Sequence, residues 1–185
     1  MRSTTTTTTG LKALVIGCAL FAASSTAFAV DSVSAEVGTG NKSQLYRVGM
    51  QWNMEQSWMR SDKAEIWGYW DLTGAVWRGN QFENRSGATQ TFGDIGFTPT
   101  LRWQGLKHQG VYAEAGLGPH LNTEVYDNNG RRLSTNLQFG THLGLGYTTV
   151  SGLDLSLRVT HFSNGGIKQP NNGVNLALVR VGYKF

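Results

Sequence analysis

The chain has 185 residues, of which 39% are hydrophobic and 15% charged, with 24 glycines and only 3 prolines. This is enough chain for one domain, and the composition gives no indication of disorder. The formal net charge of +4 is too small to indicate a nucleic-acid partner.

The first 29 residues have the pattern of an export signal. Arg2 and Lys12 supply positive charge, "ALVIGCALFAA" supplies an apolar segment, and "AFA", ending at Ala29, is a small-residue cleavage site. We therefore predict that residues 1–29 are removed and that residues 30–185 form the mature domain. A lipoprotein processing box ending at Cys18 is the alternative. However, the apolar residues between Lys12 and Cys18 are too few for a signal core, and the apolar run continues past Cys18.

Removal of this signal changes the chemistry available to the mature chain. It takes away two of the 16 basic residues and none of the 12 acidic ones, leaving 14 basic against 12 acidic residues and a net charge of +2. It also takes away the single cysteine, Cys18. The mature protein is therefore expected to have neither disulfide nor thiol chemistry and no nucleic-acid partner.

After Val30, the pattern is that of strands. No apolar run reaches the roughly 18 residues of a membrane helix, whereas alternation of apolar and polar residues is frequent. The predicted strands span residues 31–40, 43–54, 64–77, 91–103, 110–119, 133–149, 152–163 and 174–185. Most are long enough to cross a bilayer when tilted.

The even number of strands and the aromatic residues indicate a membrane barrel. Six Trp and six Tyr accompany the strands, as expected of aromatic girdles, and the last strand ends on an aromatic residue, Phe185. We predict an all-β fold, an eight-stranded antiparallel up-and-down transmembrane β-barrel in the outer membrane of a Gram-negative bacterium. A soluble periplasmic β-domain is the alternative.

The polar face of the strands should then line the barrel interior, because the apolar face must meet lipid. A barrel of eight strands is just wide enough to be filled by side chains. We therefore predict a packed, charge-paired interior and not a pore. The inward charged residues are Arg47, Glu65, Asp71, Asp94, Arg102, Glu114, Asp154, Arg158, Arg180 and Lys184.

His161 and Ser163 do not follow this division, because they share the lipid-facing side of predicted strand 152–163. Polar groups facing lipid are costly unless they pair or act. With both chain ends in the periplasm, this strand runs outward and places the pair at the outer leaflet, where lipopolysaccharide resides. The two residues are either a catalytic pair or polar residues that merely contact interfacial water at the end of the strand.

The following loop and strand add groups that would complete a catalytic site. Asn175 has the parity that puts it on the outward face, beside the pair. Backbone amides of the loop glycines can approach a reacting carbonyl closely, and asparagine side chains can donate hydrogen bonds. The predicted oxyanion donors are Asn171, Asn164, Gly165 and Gly166. A nucleophile, a base, an orienting group and oxyanion donors thus occur within fifteen residues.

The segment "HFSNGGIKQPNNGVN" resembles the active-site segment of the outer-membrane lipid A 3-O-deacylases, the PagL family, and the likeness extends to "AEVGTG", "SW", "GYWD" and "AEAGLG". The resemblance implies a barrel with a membrane-facing serine hydrolase site. His161 would be the base, Ser163 the nucleophile and Asn171 part of the oxyanion hole. The enzyme would remove the ester-linked acyl chain at position 3 of lipid A, without a metal or other cofactor.

Asn175 is a departure from the family pattern, which has a glutamate at this position. An amide oxygen can still accept the imidazole N–H, but it supplies no charge to stabilise imidazolium. Glu114 is a poor substitute because its parity points it into the barrel. A catalytically weak or silent structural or adhesive barrel, or a phospholipase or acyltransferase using the same site, therefore stay open. The oligomeric state is open as well, with a homodimer as one arrangement.

Basic residues of the predicted outer loops form a second group of interest. They could contact lipid A phosphates, because guanidinium pairs bidentately with phosphate, although solvated loop charge is the more ordinary interpretation. They are Arg78, Arg85, Arg131, Arg132 and Lys168. Two histidines near strand ends, His108 and His120, have no neighbours at metal-ligand spacing, so we predict no metal site.

Overall fold

The computed structural model describes residues 29–185, so all but the last residue of the predicted export signal lies outside the described residues. Within this range, eight long antiparallel strands close into a barrel and two short strands form a separate hairpin. The strands are β1 (Ser32–Gly40), β2 (Ser43–Trp58), β3 (Ala64–Gly79), β4 (Gln90–Gly105), β5 (Gly110–Asn122), β6 (Asp127–Asn128), β7 (Arg131–Arg132), β8 (Leu137–Thr148), β9 (Leu153–Ser163) and β10 (Val174–Lys184). Across residues 29–185, no helix is long and apolar enough to span a membrane.

The predicted fold class is confirmed, and the lengths of the connections orient the barrel. The start of β1 and the end of β10 lie at the barrel end that carries the short turns, and the longer loops lie at the opposite end. Short turns face the periplasm and long loops face outward in barrels of this kind. The longer extracellular loops therefore span residues 80–89, 123–136 and 164–173.

Two connections of the barrel are short for their positions in the predicted strand pattern. Asn41 and Lys42 both have positive φ angles, 49° and 54°. This is the backbone of a two-residue primed hairpin turn, which joins β1 to β2 at the extracellular end. At the other end, β2 continues to Trp58 and leaves only residues 59–63 for the periplasmic turn.

The barrel interior is filled by paired charges. Arg158 contacts Glu36 at 2.8 Å and Glu114 at 2.7 Å, and Arg102 contacts Glu114 at 2.8 Å and Asp154 at 2.9 Å. Ion pairing of this kind is required when charges are removed from water. The predicted inward residues are all buried except Lys184, which is half-buried at the end of β10. Glu114 lies in the interior, as its parity predicts.

The outer surface between the two barrel ends is apolar. Leu157 and Val159 of β9 are 66% and 62% exposed, and Val179 and Val181 of β10 are about half exposed. Apolar side chains that alternate with buried charges along the same strands are suited to contact with lipid. The structure therefore has the predicted apolar-out, polar-in arrangement.

The extracellular end of the barrel is closed by an apolar cluster beneath the β6–β7 hairpin. Trp77, Phe92, Tyr126 and Phe162 pack with ring centroids 4.9 to 6.2 Å apart. Leu133 joins this cluster and is 1% exposed. The prediction of one strand over 133–149 was wrong at its start, because residues 123–136 fold over the barrel end.

The two histidines near strand ends each contact one carboxylate. His120 Nδ1 lies 3.1 Å from Asp94 inside the barrel, and His108 Nε2 lies 2.9 Å from Glu65 at the periplasmic end. Within residues 29–185, no three side chains of the metal-ligating types converge on a common point. These two contacts belong to the packing of the two barrel ends.

Candidate active site

His161 and Ser163 lie at the extracellular end of β9, on the outer surface of the barrel. The residue between them, Phe162, points inward and is 1% exposed, with its ring centroid 4.9 Å from that of Trp77. Because side chains alternate along a strand, the inward position of Phe162 places the side chains on either side of it on the outer face. His161 is exposed and Ser163 is half-buried.

Asn175 lies directly opposite His161 on the neighbouring strand β10. The imidazole Nδ1 is 2.7 Å from the side-chain Oδ1 of Asn175. When the Nδ1–H donates to this oxygen, the Nε2 atom is left without a proton and can accept one from a hydroxyl group. The contact therefore selects the tautomer that a general base needs.

Ser163 is the last residue of β9 and pairs in register with Phe139 of β8. In the part of the chain that the structure describes, its hydroxyl group makes no hydrogen bond. A hydrogen bond between nucleophile and base is often long in a free enzyme and shortens when substrate binds. The hydroxyl is thus free to turn toward Nε2 of His161, two residues earlier on the same face.

The loop after Ser163 is organised by Asn164, which is fully buried. Its side chain donates to the carbonyl of Lys168 at 2.6 Å and accepts the N–H of Gly166 at 3.0 Å. Its own backbone N–H donates to Oδ1 of Asn171 at 3.0 Å. The Gly165 N–H and the Asn171 side-chain NH₂ have no partner among residues 29–185. Of the four predicted oxyanion donors, these two are available in this geometry.

Gly173 contacts the His161 ring, and the sequence did not single this glycine out. It has a φ angle of 63°, and a Cβ atom at this position would lie 2.6 Å from Cε1 of His161. No side chain fits there without moving the imidazole ring or the backbone. A glycine just before a strand is a common feature of turns, so the sequence gives no signal of this contact.

Replacing Gly173 with alanine is expected to lower the rate constant kcat for the reaction proposed below by about tenfold, because the added methyl group displaces the His161 ring and small misplacements of a catalytic group are costly. Gly87→Ala is the matched control, since Gly87 also has a positive φ angle, 80°, but has nothing within 4 Å of an added Cβ. Initial rates with the substrate proposed below measure both. Equal rates for the two variants would show that the close approach of Gly173 to the His161 ring does not affect the reaction.

The predicted basic loop residues have different environments. Arg131 donates from Nη1 to the carbonyls of Asn172 and Gly173, at 2.7 and 3.0 Å. Arg132 lies 3.8 Å from Asp127. The hairpin and the loop after Ser163 are therefore joined at their ends.

The other three basic residues are more loosely held. Arg85 pairs with Glu83 at 2.9 Å on the surface. Lys168 is exposed in its loop. Arg78 was predicted to lie in a loop, which was wrong, because β3 continues to Gly79 and carries Arg78 on its outer face. Alternation persists to the end of this strand, since Trp77 beside Arg78 is buried.

Comparison with known proteins identifies relatives of the chain. A family model described as lipid A 3-O-deacylase (PagL) matches residues 44–184. The chain is 32% identical over 145 residues to a lipid A deacylase PagL of Pseudomonas aeruginosa, covering 77% of this chain and 79% of the relative. It is 29% identical over 178 residues to a lipid A deacylase PagL of Bordetella bronchiseptica, covering 95% and 94%.

A solved structure supports the same relationship. The crystal structure of the outer membrane enzyme PagL matches with a TM-score of 0.73 and 27% identity, covering 83% of this chain and 99% of that one. Together with the closed barrel and its apolar outer band, this match places the protein in the outer membrane. Since the family model covers most of the described barrel, the chain belongs to the lipid A 3-O-deacylase (PagL) family.

Proposed function

We propose that this protein hydrolyses the ester-linked 3-hydroxyacyl chain at position 3 of lipid A, using Ser163 and His161 as a membrane-facing catalytic pair. The observation that carries the proposal is the 2.7 Å contact between His161 Nδ1 and Asn175 Oδ1 on the outer face of the barrel. It leaves Nε2 of the ring without a proton, so that Nε2 can accept one from the Ser163 hydroxyl group. The names of the relatives supply the substrate class.

The proposed reaction begins when Nε2 of His161 takes the proton of the Ser163 hydroxyl and Oγ attacks the ester carbonyl carbon. The negative charge on the carbonyl oxygen is stabilised by the free Gly165 N–H and the side-chain NH₂ of Asn171. The intermediate then expels the position-3 oxygen of the sugar, which receives the proton from the imidazolium. Water attacks the resulting acyl-serine in the same way and releases a 3-hydroxy fatty acid.

The position of the site suits a substrate that stays in the membrane. Toward the membrane centre, the next outward residues on the two strands are Val159 and Ala177, which are apolar. The acyl chain of a lipid in the outer leaflet can lie along this surface while its ester group is at Ser163. The substrate therefore need not leave the bilayer, which would cost about 0.8 kcal/mol for each CH₂ exposed to water.

Mass spectrometry of lipid A from cells that express the protein tests the proposal. Lipid A lighter by one 3-hydroxyacyl chain is expected, with the position-3 hydroxyl group free. Cells that express the Ser163→Ala variant at the same level are the control, and their lipid A should retain all of its acyl chains. Loss of an acyl chain from another position would refute the assignment to position 3.

A second candidate is favoured by one observation, the amide at position 175. An amide stabilises imidazolium less than a carboxylate does, so a barrel with little or no activity is the competing function. Unchanged lipid A and unchanged phospholipids in the same experiment would support this structural or adhesive barrel. Acyl transfer or hydrolysis on phospholipids alone would identify a phospholipase or acyltransferase instead.

A further inference from the structure

Arg131 lies in strand β7 of the hairpin that covers the extracellular barrel end, yet its guanidinium group contacts the end of the loop that follows Ser163. A single nitrogen, Nη1, donates to the carbonyl oxygens of Asn172 at 2.7 Å and Gly173 at 3.0 Å. Hydrogen bonds from a charged donor are stronger than those between neutral groups. Arg131 thereby fixes two consecutive backbone carbonyls immediately before β10.

The backbone fixed in this way contacts the proposed base. A Cβ atom at Gly173 would lie 2.6 Å from Cε1, 3.2 Å from Nε2 and 3.6 Å from Nδ1 of His161, so the Cε1 end of the ring is the part nearest to the Gly173 backbone. The neighbouring ring atom Nδ1 is held by Asn175, two residues further along the chain. The imidazole therefore contacts segment 173–175 at two adjacent ring atoms, Cε1 and Nδ1.

The rest of the hairpin strengthens this connection without touching the ring. The backbone N–H of Asn172 donates to the carbonyl of Arg132 at 3.2 Å, and that of Ser134 donates to the carbonyl of Pro170 at 3.3 Å. These contacts hold the loop at Pro170 and Asn172, but of the hairpin residues only Arg131 contacts the carbonyl of Gly173. Among the hairpin side chains, Arg131 is thus the one that contacts the backbone residue next to the His161 ring.

We propose that Arg131 is a positioning residue, which holds the Gly173 backbone so that the His161 ring keeps Nε2 directed toward Ser163. This inference rests on the proposed function, because it assigns His161 the role of base. The guanidinium group does not touch the reacting atoms. Its loss should therefore change the geometry of proton transfer and leave the binding of lipid A almost unchanged.

Kinetics with purified lipid A in detergent micelles test this role. Arg131→Ala is expected to lower kcat by about tenfold and to leave KM within about twofold. Arg131→Lys is expected to recover most of the lost kcat, because one nitrogen makes both contacts and an ammonium group can replace it. Arg132→Ala is the matched control: it removes a neighbouring positive charge, keeps the backbone contacts of β7, and should behave like the natural chain.

Two kinetic outcomes would overturn the inference. A raised KM with unchanged kcat in Arg131→Ala would show that the side chain binds the substrate, for example at a phosphate group. Equal kcat values for Arg131→Ala and Arg132→Ala would show that the contact has no effect on the base. Heat-modifiable migration of every variant on a gel ensures that only folded barrels are compared.

A structural readout separates this inference from the proposed function. Amide hydrogen exchange across residues 171–176 and the rate of His161 modification by diethyl pyrocarbonate should both rise in Arg131→Ala and not in Arg132→Ala. If the natural chain does not deacylate lipid A but these rates rise, the proposed function fails and the positioning role stands. If neither rate rises, the positioning role fails whatever the activity of the natural chain.

Discussion

Replacing Ser163 with alanine is expected to lower the deacylation rate constant by a factor of about 10⁴ or more, since the variant has no nucleophile to form the acyl-serine. The barrel should stay folded, because the hydroxyl makes no hydrogen bond among the described residues and lies on the outer face, away from the charged interior. His161→Ala should cost a similar factor, because removing either member of such a pair costs about as much as removing both.

Initial rates with purified lipid A and the mass of the product measure these losses. Ser151→Ala is the control, since Ser151 is exposed in the periplasmic turn at the opposite end of the barrel. Full activity of a correctly folded Ser163→Ala variant would exclude Ser163 as the nucleophile. Equal activity of the double variant and each single variant is also expected, because the two groups act in one step.

The common face of His161, Ser163 and Asn175 could be predicted from the sequence because strands have a period of two. Parity alone separates these residues from Arg158 and Thr160, which point inward. An antiparallel pair joined by one loop brings Asn175 near this face, and the structure supplies the register that sets it opposite His161. Long-range contacts of this kind become predictable only when the strands are regular and their order is sequential.

The loops at the barrel end could not be predicted in the same way. Leu133 continues the alternation of β8 in the sequence, yet it packs in the apolar cluster under the hairpin, because the chain leaves the sheet before Leu137. The contact of Arg131 with Gly173 joins two loops about forty residues apart. Such contacts depend on how irregular backbone folds over the barrel end, and no periodic pattern encodes them.

The amide at Asn175 provides the second large expected effect. Its Oδ1 already accepts the imidazole Nδ1–H, so the correct tautomer is selected without a carboxylate. Removing it in Asn175→Ala should lower kcat by about tenfold, since the ring then loses its orienting contact. What the amide does not supply is the negative charge that stabilises imidazolium while the serine proton is held on Nε2.

Asn175→Glu is therefore expected to raise kcat above that of the natural chain, by about tenfold. The gain should be smaller than the roughly 10⁴ that separates acid from amide in a serine protease, because there the amide also holds the wrong tautomer. The opposing cost is a charge on a membrane-facing strand, which near the interface is only about 0–1 kcal/mol and is reduced by pairing with imidazolium. The catalytic gain should exceed this cost.

Gln44→Glu is the matched control for the added charge. Gln44 lies exposed on β2, near the same end of the barrel, and β10 and β1 separate it from β9. A carboxylate there adds the same negative charge to the outer surface, opposite Arg78 of β3, but cannot reach the ring, so the rate of this variant should equal that of the natural chain. A rise in both variants would mean that negative charge at this surface acts through the substrate. Equal rates for the natural chain, Asn175→Ala and Asn175→Glu would show that position 175 does not orient the base.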